Sequence, residues 1–351
     1  GRHVVFLHYG TQKIQHGAIM EKHKIDLSEI QRLTAQALVA HGANTWVANS
    51  VARAVRMAEA KGNLICGLYY LESYCKQLLT GRVNGTSEPV VSRPKSASVH
   101  VDAQFGFAQA AFERALPMAL ETVRDTGTCS LAVAHSHTCT SLGYFTEQIA
   151  QAGYIAIGLT NASAVVSPPG GNQAILGTNP ISMAVPDGNG GVAFQFDQST
   201  SAIALGKITM AAAAGESIPL GWAVDADGNE TTDPNAALKG SLKSSGGYKG
   251  WGFGLMTEVL AAAFTGSVNS LDVKGLKVPD GAPHDLGQCY IILDPATHGD
   301  WFYDRITRIA DAVNEQDGAR LPGSRFKMPE AVEIEKKIYE QLVTLSKGPS
   351  A

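Results

Sequence analysis

The stretch AVAHSHTCTSLGYFTEQIAQAGYIAIGLTNASAVVSPPGGNQAILGTNPISMAVP, residues 132–186, contains the patterns from which the fold is predicted. The apolar run CSLAVA, residues 129–134, predicts a buried strand that leads into this stretch. Residues 142–152 have a helical period, and YIAIGLT, residues 154–160, predicts a second buried strand. Strand, helix and strand in this order are typical of an α/β or α+β protein.

The rest of the chain places further helices and strands around this unit. ISMAVP and GVAFQF are short strands separated by a glycine-rich turn, which predicts a hairpin, and residues 289–294 predict one more strand. Residues 88–106 indicate an extended crossing, and residues 205–245 are expected to be mostly loop. Helices are expected over residues 26–42, 44–60, 71–79, 107–126, 250–264, 299–315 and 329–346. The fold class predicted is therefore α/β (mixed α+β).

Composition excludes several classes of function. The 351 residues carry a net charge of −4, which gives no basic face for nucleic acid and no polybasic arm for anionic lipid. No apolar run reaches the roughly 20 residues of a membrane helix. The five cysteines are scattered without a CxxC pair, so we expect no zinc site, no other metal and no disulfide framework, in a reducing cytoplasmic compartment.

Common nucleotide and catalytic motifs are absent. The chain has no G-x-G-x-x-G, no phosphate-binding P-loop, no H-E-x-x-H and no G-x-S-x-G. A standard Rossmann domain is therefore not predicted, although dinucleotide binding by another fold stays open.

Two histidines are candidates for proton transfer. His135 and His137 follow strand 129–134 directly, at the end of a strand where α/β proteins bind ligands. Imidazole suits proton transfer because its ordinary pKa is about 6.5. The alternative is structural, with one histidine capping the loop and the other solvated.

Two further residues are weaker candidates. Lys249 lies among glycines in GGYKGWGFG, residues 246–254, where backbone and ammonium could both approach a phosphate; a flexible linker with a solvated lysine is the alternative. Asp197 ends a predicted strand and could orient a histidine or hold a substrate amine, or simply cap a helix. SPPGG and GTNP, residues 167–171 and 177–180, are turn motifs on their own.

Several collinear motifs give the chain a family resemblance over residues 25–346. They are LGYFTEQIAQAGYIAIGLTN, LGTNPISMAVP, IPLGWAVDADGNETTDPNAAL, GGYKGWGFGLMTEVLAAAFTG and LGQCYIILDP. With these motifs the chain resembles the type 2 malate/L-lactate dehydrogenase family, which includes ureidoglycolate dehydrogenase and the Δ1-piperideine-2-carboxylate/Δ1-pyrroline-2-carboxylate reductases.

The resemblance implies a homodimeric NADH- or NADPH-dependent oxidoreductase with a non-Rossmann cofactor-binding sheet and helical N- and C-terminal regions packed together. Residues 1–19 lack the residue order of a signal peptide, and Met20 precedes the first helix signal, so 1–19 is expected to be an extension or non-native addition. The remaining segments expected are 20–127 for substrate and dimer contacts, 128–265 for the cofactor, and 266–351 packing back on the N-terminal domain. Expected cofactor contacts are His137, Thr138, Thr160, Asn161, Ser163, Asp197, Gln198, Ser199, Lys249 and Gly250. The Pro-Pro-Gly-Gly and Gly-Thr-Asn-Pro turns match family segments near the nicotinamide and substrate, so Thr178 and Asn179 are expected to contact the substrate.

Two departures from the family pattern concern the site. Many members carry S-H-G-x-x-R, with the histidine as proton donor and the arginine on the substrate carboxylate. Here Cys66 replaces that histidine and Tyr70 replaces that arginine. The family's loop histidine usually lies six residues before a tyrosine, whereas His137 lies seven before Tyr144, so His137 or His135 takes that place.

The first departure favours one substrate class. A thiol with a pKa of about 8.5 is a poor proton donor to a developing alkoxide, as a 2-oxo acid would require. A cyclic 2-imine can be protonated in solution and accepts hydride with less help. We therefore predict reduction of a small cyclic 2-imino acid such as Δ1-pyrroline-2-carboxylate, with His137 or His135 and Asp197 catalytic and Cys66 and Tyr70 contacting substrate. The alternatives are a 2-hydroxy-acid dehydrogenase of malate/L-lactate type and a catalytically silent dinucleotide-binding protein.

Overall fold

A seven-stranded mixed sheet forms the centre of the computed structural model, which describes residues 21–350. Its strands are β2 (Val90–Lys95), β3 (Ser98–Asp102), β4 (Thr128–Ser136), β5 (Ile155–Thr160), β6 (Ile181–Pro186), β7 (Val192–Gln198) and β10 (Leu286–Leu293). They run in the order β2-β3-β4-β10-β5-β6-β7, and only β3 and β4 pair in parallel. The C-terminal strand β10 thus lies in the middle of the sheet, between β4 and β5. The predicted mixed α/β class is confirmed.

Helices cover the sheet and form a separate layer from the two ends of the described chain. They are α1 (Leu27–Ala40), α2 (Thr45–Ala60), α3 (Leu71–Thr80), α4 (Ala108–Thr126), α5 (Gly143–Gln151), α6 (Leu205–Ala214), α7 (Pro234–Lys239), α8 (Tyr248–Glu258), α9 (Phe302–Asn314) and α10 (Lys336–Ser346). A π-helical turn, Val259–Ala263, continues α8. Helices α1, α2, α3 and α10 share one apolar core, whereas α4 and α5 pack with the sheet in a second.

Two short sheets complete the fold. Strand β1 (Lys22–Asp26) pairs with β11 (Ala331–Glu335), and β8 (Ala223–Val224) pairs with β9 (Ser241–Leu242). The first pairing joins the N-terminal helices to the C-terminal segment. The domain boundaries at residues 127 and 265 stay a prediction, and the segment 1–19 lies outside the described residues.

Three sequence predictions were wrong in identifiable ways. Helix α6 lies in a stretch expected to be mostly loop, because it starts after Ala204, which has no capping side chain to mark the start. Its alanine-rich sequence nevertheless favours a helix. Strand β11 occupies the start of the helix expected over 329–346, where pairing with distant β1 overrides the local pattern. The extended crossing at 88–106 is a hairpin of β2 and β3.

Candidate functional site

A cavity of about 470 Å³ lies between the edge strand β7 and the start of helix α8. One part of its lining is apolar and comes from the sheet and α8: Ile157, Ile181, Met183, Phe196, Phe253 and Met256. The other part is polar: Gln198, Ser199, Thr200, Ser245, Lys249 and Gly250. Four predicted cofactor residues therefore lie in one cavity, namely Gln198, Ser199, Lys249 and Gly250.

The glycines of this segment allow the chain to fold closely around the start of α8. Gly246 and Gly247 have φ values of 65° and 67°, in the left-handed region that favours glycine. A Cβ atom on Gly250 would lie 2.0 Å from the carbonyl oxygen of Ser245. The first turn of α8 thus offers main-chain N–H groups beside the Lys249 ammonium, a combination suited to phosphate. The apolar walls and this polar end fit a nicotinamide dinucleotide.

A second, smaller cavity of about 200 Å³ lies on the other side of β7. Because side chains alternate along a strand, Gln195 and Asp197 point away from the face that carries Gln198. The cavity is lined by residues of α2, the following turn, α5 and β7: Ala54, Met57, Ala58, Lys61, Asn63, Ser141, Gly143, Tyr144, Gln195, Phe196 and Asp197. Its volume suits a small ring or short-chain acid, and it separates Asp197 from the Lys249 cavity.

Asp197 is held at the start of helix α5. One carboxylate oxygen, Oδ2, accepts a hydrogen bond of 2.8 Å from the main-chain N–H of Gly143. The carboxylate still contacts solvent in the cavity, but the surrounding protein removes enough water to raise its pKa. The hydrogen bond from the Gly143 N–H and the positive charge of Lys61 oppose this rise in pKa without cancelling it. The Lys61 ammonium also forms an ion pair of 2.8 Å with Glu147.

Cys66 lies beside Asp197, on a turn whose main chain is held by the buried carboxylate of Glu59. Oε1 of Glu59 accepts a hydrogen bond of 2.9 Å from the N–H of Leu68, and a Cβ on Gly67 would lie 2.3 Å from the same oxygen. Burial raises the pKa of the Cys66 thiol to about 11, and the negative charge of Asp197 acts in the same direction. The thiol is therefore a much weaker acid than a histidine would be at this position.

Tyr70 follows Cys66 on the next turn and is half-buried. Its ring lies 5.0 Å from the ring of Tyr69 and 6.3 Å from that of Tyr74, measured between centroids. Burial raises the pKa of the Tyr70 phenol, and Tyr69 and Cys66 raise it further. The phenol therefore stays protonated at neutral pH and can donate a hydrogen bond.

His137 lies away from both cavities, inside an aromatic cluster. Its ring is packed between Tyr74 and Phe107 at centroid distances of 5.7 and 5.6 Å, and His284 lies 5.4 Å away. Neither ring nitrogen has a hydrogen-bond partner, and burial lowers the pKa well below its ordinary value. This surrounding favours a neutral, packed imidazole over a proton donor.

His135 has a different role in the structure. Its Nδ1 lies 2.7 Å from Oδ1 of Asp285, and its main chain has a φ of 55°. The ring is partly exposed and packs against Phe105 at 5.4 Å. It lines neither of the cavities beside β7.

Most of the remaining predicted contacts hold main-chain segments together. Thr160 Oγ1 donates to the carbonyl of Gly287 at 2.9 Å, and Asn161 Nδ2 donates to that of Val268 at 3.2 Å. Asn179 Nδ2 donates to the carbonyl of Gly254 and to Glu258. The remaining predicted contacts are Thr178, Thr138 and Ser163. The carbonyl of Thr178 accepts a hydrogen bond from the Thr200 N–H, and Thr138 Oγ1 accepts one from the Thr140 N–H. Ser163 is half-buried and lines neither cavity beside β7.

Sequence reasoning missed several residues of these cavities. Lys61 directly follows α2 and Gln195 lies within β7, and neither was predicted to line a cavity. The Pro168–Gly171 turn lines a third cavity of about 250 Å³, beside Glu230 and Lys243, instead of the two at β7. No local pattern marks Lys61 or Gln195 as cavity residues, because segments distant in the sequence bring them together. Within residues 21–350 no group of three or more His, Cys, Asp or Glu side chains could hold a metal ion, and no helix is long and apolar enough to cross a membrane.

Comparison with known proteins identifies the family. The family model for malate/L-lactate dehydrogenase matches residues 25–342. The NADP(+)-dependent (2R)-3-sulfolactate dehydrogenase of Chromohalobacter salexigens is 35% identical over 326 residues, covering 90% of this chain and 97% of that protein. The Δ1-pyrroline-2-carboxylate reductase of Ancylobacter novellus is 35% identical over 308 residues, covering 86% and 89%.

Solved structures agree with this assignment. The crystal structure of Δ1-piperideine-2-carboxylate reductase from Pseudomonas syringae pvar. tomato matches with a TM-score of 0.85 at 32% identity, covering 92% of this chain and 99% of that one. The chain belongs to the malate/L-lactate dehydrogenase family, as its motifs indicated. It is accordingly an NAD(P)-dependent oxidoreductase.

Proposed function

We propose that this enzyme reduces a small cyclic 2-imino acid of the Δ1-pyrroline-2-carboxylate type, giving the corresponding cyclic amino acid. The observation that carries the proposal is Cys66, a thiol whose pKa is raised to about 11 and which lies beside Asp197, a residue that lines the small cavity. Reduction of a 2-oxo acid requires a proton donor for the developing alkoxide, and this thiol is poorly suited to that task. A cyclic iminium brings its own proton and needs no such donor.

Charge at the cavity favours the same substrate class. An iminium is a cation, and the carboxylate of Asp197 faces the cavity with one oxygen already bound to the Gly143 N–H. Removal of water from Asp197 makes its interaction with a cation stronger than it would be in bulk solvent. Asp197 therefore holds the iminium nitrogen side of the substrate, and relatives named as Δ1-pyrroline-2-carboxylate reductases support this assignment.

The cofactor is NADPH in this proposal, bound along the cavity between β7 and α8. Lys249, Gly250 and the first turn of α8 hold its phosphates, and Gln198 and Ser199 line the same cavity. The bound cofactor supplies the hydride. The preference for the phosphorylated cofactor rests on the relative whose name specifies NADP(+).

A second candidate is reduction of a 2-oxo acid, or oxidation of the matching 2-hydroxy acid. It is favoured by the 35% identity to a sulfolactate dehydrogenase. In that case another group must donate the proton, and His137 or His135 is the residue predicted from the sequence.

The test is the loss of reduced-nicotinamide absorbance with purified enzyme. NADPH and NADH are each offered with Δ1-pyrroline-2-carboxylate, pyruvate, oxaloacetate and 3-sulfopyruvate. We expect fast turnover of the imine with NADPH. Turnover of oxo acids alone would contradict the proposal and favour the second candidate. If the cofactor binds but no compound reacts, the chain is a silent dinucleotide-binding protein.

We also propose that the enzyme is a cytoplasmic homodimer. Five cysteines without a disulfide among the described residues support a reducing compartment. Exposed apolar side chains on α8 and the turn after it that do not line the cofactor cavity support a subunit contact: Tyr248, Leu255, Val259 and Phe264. Light scattering on the eluting protein gives the mass, and a monomer would contradict the dimer.

A further inference from the structure

A lysine on the loop before β10 lies over the tyrosines next to Cys66. Nζ of Lys277 donates a hydrogen bond of 2.8 Å to the Tyr69 hydroxyl. The same nitrogen lies 4.0 Å from the centre of the Tyr69 ring and 5.4 Å from that of Tyr70. Lys277 has no ion pair with a carboxylate in the part of the chain that the structure describes. Aromatic rings stabilise an ammonium without neutralising it, so its charge remains available to an anion.

The position of Lys277 is fixed by the main chain on both sides of it. The buried guanidinium of Arg82 donates to the carbonyls of Gly275 at 2.8 Å and Ala282 at 3.1 Å. Gln77 Nε2 donates to the carbonyl of Leu276 at 2.9 Å, and Thr80 Oγ1 to that of Pro279 at 2.6 Å. Four bonds to helix α3 and its end therefore hold the segment that carries Lys277 beside the turn that carries Tyr70.

A comparison with Lys61, a cation that lines the small cavity, shows how Lys277 differs. Lys61 lines the small cavity but already forms an ion pair of 2.8 Å with Glu147. Any 2-imino or 2-oxo acid carries a carboxylate that needs a positive partner once it leaves water. The centre of the Tyr70 ring lies 5.4 Å from the Lys277 ammonium, so the protonated phenol of Tyr70 is available as a second donor to a carboxylate bound there.

We propose that Lys277, with the Tyr70 hydroxyl, binds the carboxylate of the substrate and thereby selects 2-imino or 2-oxo acids over uncharged analogues. The inference rests on the proposed function for the identity of the substrate. Lys277 is supplied by a loop about 200 residues away from Tyr70 in the sequence, so no motif near Cys66 indicates it.

The test compares Lys277→Gln with a matched control, Lys274→Gln, which removes the same charge from an exposed position of the same loop. In Lys277→Gln we expect KM for the imino acid to rise about 10- to 100-fold with a smaller change in kcat, the loss expected for a charge-assisted hydrogen bond. Lys277→Arg should recover part of this loss, and Lys274→Gln should match the wild type.

A second measurement uses pyrrole-2-carboxylate and pyrrole-2-carboxamide as inhibitors. Wild-type enzyme should bind the carboxylate more tightly, and Lys277→Gln should lose that preference. An unchanged KM and preference in Lys277→Gln, or equal losses in both lysine variants, would overturn the proposal. If the wild type reduces only oxo acids, the proposed imino-acid function is wrong. The role of Lys277 is then tested separately, by comparing KM for the oxo acid among wild type, Lys277→Gln and Lys274→Gln.

Discussion

Cys66 shows how surroundings decide the chemistry of a single residue. Its thiol and the Asp197 carboxylate lie close enough that the negative charge of Asp197 raises the pKa of the thiol in addition to burial. The same burial raises the pKa of Asp197. At neutral pH the thiol therefore keeps its proton and is a poor proton donor.

Replacing Cys66 by His should restore a proton donor at this position. An imidazole beside a carboxylate is readily protonated near neutral pH, so we expect kcat/KM for 2-oxo acids to rise at least about 10-fold, within the range of general acid catalysis. Imine reduction should gain little. The measurement is the ratio of kcat/KM values for pyruvate and Δ1-pyrroline-2-carboxylate.

Cys66→Ser is the matched control, because a hydroxyl of similar size is no better as an acid. An equal gain in Cys66→Ser, or no gain in Cys66→His, would show that the missing acid is not what disfavours oxo acids.

For single residues, the sequence indicated which side chains have suitable chemistry better than it indicated which of them line a cavity. Lys249 and Gly250 were predicted from a glycine-rich loop, and their pattern is local, so the structure brings them to one cavity. His137 was chosen for its chemistry, but burial among Tyr74 and Phe107 depends on α3 and α4, which are distant in the sequence. Its catalytic role stays a prediction.

At the scale of elements, the end of α8 is joined to two distant loops by one buried carboxylate. Glu258 accepts hydrogen bonds from the Ser270 N–H at 2.7 Å and the Ser270 hydroxyl at 2.6 Å. It also accepts from the side-chain amides of Asn269 at 3.2 Å and Asn179 at 3.1 Å. Asn179 was expected to contact substrate, but in the structure its side chain joins the GTNP turn to α8.

Replacing Glu258 by Ala should destabilise the protein markedly. Four donors lose their acceptor in a buried environment, so the free energy of unfolding should fall by about 3–5 kcal/mol. Urea titration followed by circular dichroism gives this value. Glu216→Ala, at an exposed position after α6, is the control and should change the free energy of unfolding by less than about 0.5 kcal/mol. Similar stabilities for the two variants would contradict a structural role for Glu258.

Element boundaries show where local patterns suffice. Helices α1 and α2 are close to their predicted bounds because an apolar stripe and a glycine or lysine-glycine stop are local features. The central position of β10 between β4 and β5 could not be read from its own sequence, since strand order depends on pairing between residues more than 100 apart.

At the scale of the whole molecule, buried histidines lie where the N-terminal helices meet the sheet. His137 follows β4, Tyr74 belongs to α3, and His284 precedes β10. Burial lowers the pKa of both histidines, that of His284 to about 4, and the positive charge of Arg82 adds to the effect. Both imidazoles are therefore neutral in the folded protein at neutral pH.

This arrangement predicts a loss of stability in mild acid. Above pH 6.5 His284 is neutral in the folded and the unfolded chain, so it makes no pH-dependent contribution. Between about pH 6.5 and pH 4 the unfolded chain binds a proton at His284 that the folded protein does not. The free energy of unfolding therefore decreases as the pH is lowered through this range. A shift of the His284 pKa from 6.5 to about 4 corresponds to a loss of roughly 3 kcal/mol in the free energy of unfolding over this range.

Comparison with His284→Asn isolates this contribution from carboxylates that titrate in the same range. Asparagine can keep the hydrogen bond to the Lys274 carbonyl, which His284 Nδ1 makes at 2.8 Å. Urea titrations at pH 6.5, 5.5 and 4.5 should show wild type losing more stability than His284→Asn as the pH falls. His298→Asn, at an exposed position, should follow the wild type. Parallel curves for wild type and His284→Asn would mean that protonation of His284 costs the folded protein nothing, and that the interface between helices and sheet admits the charge.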